Sequence, residues 1–132
     1  MDDLKFDLRI YVLLTGVNPL RIYIFEEGLV RFATEPYKPA KRDNMDNLFM
    51  HLTNYAINKK SSAYQQTTGE EAGDESAHKR SLSSLYELLE RSGYDVKKLK
   101  IKIEDIVVKT IITSQPSLSH IYKSCLPEDV EN

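Results

Sequence analysis

Residues 4–14 alternate with a period of two. Leu4, Phe6, Leu8, Ile10, Val12 and Leu14 hold the even positions, while the odd ones begin Lys5, Asp7, Arg9, Tyr11. Successive side chains of a strand leave opposite faces, so this pattern predicts a strand with one apolar and one charged face. Gly16-Val17-Asn18-Pro19 interrupts the run, 20–25 forms a second β-rich stretch, and Glu26-Glu27-Gly28 separates it from a third at 29–34. Three strands divided by turn residues predict an antiparallel meander. It ends at residues 35–39, EPYKP, because each proline removes a ladder donor and restricts its predecessor.

A polar connector reaches about residue 47. Over 49–57, Phe49, His51, Thr53 and Tyr55 alternate with Met50, Leu52 and Asn54, which predicts a short extended segment. Residues 59–80 are rich in Ser, Thr, Gln, Gly and Glu; with few apolar groups to offset ordering entropy, they are expected to form a mobile loop. Leu82, Leu85, Leu88 and Leu89 recur at helical intervals, Ser84 and Glu87 have capping-box spacing, and Gly93 is a plausible stop.

The stretch 96–112 is crowded with β-branched residues, which favours strand, yet Val96, Leu99, Ile103, Ile106 and Thr110 repeat at three or four and predict a helix. Ile101, Val108 and Ile112 on its other side imply that both faces are covered by protein. Pro116 is expected to close it; the remainder shows no strong pattern, and there is no internal repeat. The class implied is α+β, an antiparallel sheet with helices packed on it.

With 132 residues and 41% apolar content, the chain can bury one modest core. Its net charge of −2 gives no overall field toward nucleic acid or an anionic membrane, so neither is an expected partner. No apolar run approaches membrane-spanning length and the N-terminus lacks signal-peptide character, from which a cytoplasmic location is expected. Cys125 is the one cysteine, which excludes an internal disulfide and reads as a small buried hydrophobe.

Lys5, Asp7 and Arg9 at i, i+2 and i+4 share a face, with two cations flanking a carboxylate; a solvated outer sheet face explains such spacing equally well. Arg31 on the third stretch is placed to join Arg9 across the sheet, where paired guanidinium groups suit phosphate oxygens. His51, Thr53 and Asn54 bring an imidazole, a hydroxyl and an amide within four residues, able to contact a nucleotide or to form an ordinary polar turn. His78 and His120 are isolated, the acidic run at 70–75 lacks EF-hand spacing, and no metal site is assigned. GxxxxGK(S/T), GxGxxG, CxxC and GxSxG do not occur.

Three long blocks occur in order: KFDLRIYV at 5–12, GLVRFATEPY at 28–37 and MHLTNYAINK at 50–59. Together with SGYDV at 92–96 and IEDIVVKTII at 103–112, they resemble the tubulin–tyrosine-ligase-like family over nearly the whole chain, in wording closest to its glutamylating branch. The resemblance implies part of an ATP-grasp fold and ligation of glutamate to tubulin carboxyl groups through an acyl phosphate, with ATP and Mg²⁺ required. It places Lys5 and Asp7 on the nucleotide-side strand, Arg9 and Arg31 near the transferred phosphate and acceptor carboxylate, and His51, Thr53 and Asn54 in a nucleotide-proximal segment. Tubulin or microtubules would be the partner, free glutamate the co-substrate, and the cytoskeleton, cilium or basal body the location.

The family's upstream nucleotide clamp and downstream aspartate and Glu-x-Asn metal ligands have no counterpart in residues 1–132. The chain is therefore expected to be an internal, partial catalytic domain, inactive alone. Two alternatives stand beside this reading: a non-catalytic fragment that binds microtubules or nucleotide, and a ligase of the same family that uses glycine or tyrosine.

Overall fold

The alternating N-terminal run folds as β1, Leu4–Val17, which turns at the cis Asn18-Pro19 bond and returns antiparallel as β2, Leu20–Pro36. The computed structural model describes residues 3–65 and 77–125. After β2 come α1, Leu48–His51, and α2, Tyr55–Asn58; then β3, Lys79–Ser81, α3, Leu82–Arg91, and α4, Val96–Cys125. The sheet order is β1-β2-β3, antiparallel throughout, so the α+β class holds.

The expected meander is instead one long hairpin. Glu26-Glu27-Gly28 does not turn the chain: Ile10 pairs with Gly28 and Val12 with Ile24, so β2 takes four steps where β1 takes two and bulges without leaving the ladder. Gly28 is required there because a Cβ would lie 2.4 Å from the Arg9 carbonyl oxygen. The third strand comes from the stretch assigned to a loop. Lys79–Ser81 pairs with 29–31, and the Phe32 amide bonds to the His78 carbonyl at 2.9 Å. Within the expected 59–80 loop, residues 66–76 lie outside the described residues, while Ala77 and Arg80 are buried.

Val30, Phe32, Leu82 and Leu85 form the buried core, with Leu4, Leu8, Ile10, Tyr86 and Leu89 packed around it. The even face of β1 is thus the core-facing one, as its alternation requires. Arg80 is kept among apolar groups by donating from Nε to the Ala77 carbonyl at 2.9 Å and stacking its guanidinium 4.3 Å from the Phe32 ring centroid.

The helix over 82–91 forms where the leucine spacing predicts. Its cap, however, is Ser81, whose hydroxyl accepts from the Ser84 amide at 3.1 Å; the Ser84/Glu87 capping box is not the start. Gly93, at φ +82°, follows the helix end as expected. The extended segment expected at 49–57 is replaced by α1 and α2, single turns whose short-range alternation mimicked a strand.

The helical reading of 96–112 holds, but Pro116 does not close it: α4 runs on to Cys125 with the proline inside. Pro116 lacks the N–H that would bond four residues back, yet the helix of 30 residues continues across it. The face toward the protein also differs beyond Ile103, following Val107 and Ile111, whereas Ile106 is 63% exposed. Ile101, Val108 and Ile112, expected to be covered, are exposed, as is Cys125. No helix among the described residues is long and apolar enough to cross a membrane.

Candidate active site

The hairpin register sets Asp7 directly opposite Arg31 on the charged face of the sheet. Their side chains meet edge to edge, with Arg31 Nε donating to Oδ1 at 3.1 Å and Nη2 to Oδ2 at 2.6 Å. This forked geometry fixes the guanidinium plane as well as its charge, which a lysine would not do. The pair is about a third exposed, so it sits at a surface that a ligand can reach.

Partial burial pushes the Asp7 carboxyl up, but hydrogen bonds from Arg31 and Thr53, with the charges of Arg31 and Arg9, outweigh that and hold it below the usual carboxylate range. Asp7 is accordingly an anchor that orients cations, and it stays ionised at neutral pH. Arg9 does not pair with Arg31 across the ladder as expected. It stands opposite Leu29, two positions along from Asp7, with its guanidinium 5.9 Å from the Tyr11 ring centroid. Both arginines nevertheless act on the same carboxylate, so the charged face is one electrostatic unit.

Lys5 closes the other end of this row. Its Nζ donates to the His51 carbonyl at 2.8 Å, tying β1 to the last residue of α1. The three polar residues at 51–54 separate into distinct tasks. Thr53 reaches Asp7, whereas the His51 ring is engaged elsewhere, its Nε2 lying 3.0 Å from the Asn44 carbonyl and its edge against Tyr37. Asn54 is exposed and occupies the N-cap position of α2 without a side-chain capping bond. The structure therefore brings Asp7, Arg9, Arg31 and Thr53 together, turns Lys5 to the His51 carbonyl, and leaves the His51 ring and Asn54 at the margin.

Asn58 organises the segment. Its Oδ1 accepts from the Thr34 amide at 3.1 Å and the Thr34 hydroxyl at 3.0 Å, and its Nδ2 donates to the carbonyls of Leu52, at 2.7 Å, and Asn54, at 3.2 Å. A side chain 1% exposed with every polar atom paired locks α2 to β2. No spacing distinguishes Asn58 from any other polar residue; only its place in the third block hinted at importance.

Beside Arg31 and Thr53 opens a cavity of about 410 Å³ walled by Tyr55, Tyr64, His78 and Lys79. Tyr64 lies 5.6 Å from the His78 ring and 5.9 Å from that of Tyr55. The Gln65 amide donates to His78 Nδ1 at 3.1 Å, which selects the tautomer with its proton on Nε2; burial then pushes the imidazole's pKa down, with the Arg80 charge adding to the effect. These wall residues were missed in the sequence because they flank a polar stretch with no periodicity. Among the described residues, no group of three His, Cys, Asp or Glu side chains is arranged to hold a metal ion.

A forked carboxylate–guanidinium pair on one sheet face thus stands beside an open cavity with aromatic walls, and its fixed cations suit an anionic group. The sequence profile of the tubulin-tyrosine ligase family matches residues 1–130, and the chain belongs to that family. Over 132 residues it is 52% identical to a Tetrahymena thermophila protein named probable beta-tubulin polyglutamylase, matching all of this chain and 11% of that protein. It is 44% identical to the human tubulin polyglutamylase TTLL6, again over its whole length and 14% of the relative, and 42% identical over 127 residues to TTLL7 of Xenopus tropicalis, 96% of this chain and 14% of that one. The chain thus spans 11% to 14% of the length of these relatives.

Proposed function

We propose that this chain is the charged-sheet portion of an ATP-grasp ligase that joins glutamate to carboxyl groups of tubulin, with ATP as the co-substrate that activates the carboxylate as an acyl phosphate. Family membership and the names of the relatives support the reaction class, and the naming of polyglutamylases among them supports glutamate over glycine or tyrosine. A cytoskeletal location follows from the same substrate.

The observation that carries the reading is the Asp7–Arg31 fork with Arg9 beside it. Forming an acyl phosphate drives an anionic carboxylate against a terminal phosphate, and that repulsion is lowered by fixed cations held in place before reaction. Asp7 supplies the holding, Arg9 and Arg31 the positive charge, and Lys5 and Thr53 the support at either edge. Mg²⁺ serves such chemistry through several oxygen ligands, whereas Asp7 is already engaged by Arg31 and the described residues offer no further cluster. The residues present do not fit the ion by themselves.

The deciding experiment is glutamate ligation by the intact enzyme carrying this segment, assayed on microtubules. Arg9→Ala and Arg31→Ala should each lower turnover by about a hundredfold or more, the cost of losing one preorganised donor to a developing anion. Activity near that of the unmodified enzyme in both variants would remove these arginines from the chemistry.

A further inference from the structure

Asn58 divides its bonds between two parts of the fold. Its Oδ1 faces β2, accepting from the Thr34 amide and hydroxyl, while its Nδ2 faces the link at 52–54, donating to the carbonyls on either side of Thr53. That link joins α1 and α2, each of four residues and too short to keep its shape by its own ladder. The hold on it is therefore tertiary, from Lys5 at the His51 carbonyl and from Asn58 at the Leu52 carbonyl. Thr53 stands between these two points and its side chain bonds Asp7. Asp7 in turn takes both prongs of the Arg31 fork, at 3.1 and 2.6 Å. A relay of bonds thus runs from an amide 1% exposed to a guanidinium on the open face of the sheet.

We propose that Asn58 is a positioning residue of this site: it holds the link so that the Thr53 hydroxyl meets Asp7, and through Asp7 it keeps the Arg31 guanidinium aimed along the charged row. The inference rests on the ligase reading above and adds to it a residue that touches no substrate. A primary amide suits the task because its two ends act separately, the acceptor anchoring to β2 and the donors reaching the link. With every polar atom paired it has one orientation, so the link inherits the rigidity of the sheet. A group that only held the fold together would change stability and leave the chemistry of each folded molecule as it was.

Two readouts separate this from a role in stability alone. In glutamate ligation by the intact enzyme, Thr53→Val should lower kcat roughly tenfold, and Thr53→Ser, which keeps the hydroxyl, should restore it. Asn58→Ala should lower kcat by a similar factor, but in the Thr53→Val background it should add less than about twofold, because the relay is already cut. Thr34→Val weakens only the β2 side of the amide, and should lower stability while leaving kcat within about twofold. Additive losses, or a kcat that falls with stability in Thr34→Val as well, would overturn the proposal.

The second readout needs no ligation. In this chain, the Asp7 carboxyl carbon followed by NMR through an acid titration should ionise at higher pH in Thr53→Val and in Asn58→Ala, with no further rise in the double variant and none in Thr34→Val. Where Asn58→Ala does not fold, Asn58→Gln keeps the bonding groups but displaces them by a methylene, and should move both readouts in the same direction. An Asp7 that shifts in this way within an enzyme that ligates no glutamate would sink the reaction assigned above and leave the positioning standing; ligation with an Asp7 indifferent to Asn58 would do the reverse.

Discussion

Asn58 accepts both the backbone amide and the hydroxyl of Thr34, and so ties the one-turn helix α2 to the buried edge of β2. Two further bonds run back from its amide nitrogen to Leu52 and Asn54, the residues that bracket Thr53. The position of Thr53 beside Asp7 is therefore set by an amide that touches neither.

Removing that amide has a calculable cost. Asn58→Ala leaves the Thr34 amide and the Leu52 carbonyl without their partners, and unsatisfied buried groups cost about 1–3 kcal/mol each. A loss of about 2–4 kcal/mol is expected in urea unfolding of this chain. Asn58→Asp should be no milder, since a carboxylate would face the Leu52 and Asn54 carbonyls where two donors stood.

The Asp7–Arg31 fork should contribute less, because it is partly open to water. A double-mutant cycle of Asp7→Asn with Arg31→Gln is expected to give a coupling of about 1 kcal/mol, at the upper end for exposed pairs on account of its two-bond geometry. Added salt should shrink it; a coupling indistinguishable from zero at low salt would deny the fork any energetic role.

Glu27 governs the start of α3 from a distant part of the sequence. Its Oε1 accepts from the amides of Gly28, Leu82 and Ser83, and its Oε2 from the Ser83 hydroxyl, so a carboxylate sits on the positive end of the helix. Glu27→Ala should cost about 1–2 kcal/mol, and Glu27→Gln less, because one oxygen acceptor survives.

Acid should expose both carboxylates. For Asp7 and Glu27, partial burial raises the pKa, but the bonds each accepts win, and both end below their ordinary values of 3.8 and 4.5. A depressed folded pKa means stability that is fully present above the ordinary value and is lost as pH falls through the folded one. Urea midpoints should therefore be flat above about pH 5 with respect to these groups and fall below it, with a shallower fall in Asp7→Asn and Glu27→Gln.

What could be read from the residues alone was whatever obeys a short period. The alternation of β1, the leucine spacing of α3 and the helical character of α4 survive in the structure, although α4 turns a different face inward beyond Ile103, and the charged row on β1 follows from the first of these. The bulge at Glu26–Gly28 did not, because the same residues that let a strand absorb extra length also make turns. The third strand is too short, at three residues, to carry any periodic signal, and its pairing with 29–31 depends on contacts far apart in sequence. Lys79 and His78 entered the site only through that pairing.

The surplus in β2 at this bulge is an even number, which keeps the parity of the strand on both sides of it: Val12 and Ile24 share the inner side just as Ile10 and Gly28 do. Inserting or deleting a single residue between 24 and 28 would turn the remainder of β2 over, sending Arg31 inward and Val30 and Phe32 out to water. Length changes at this point should be tolerated only in pairs, so natural length polymorphism here would be a genetic record of which side of the sheet does the work.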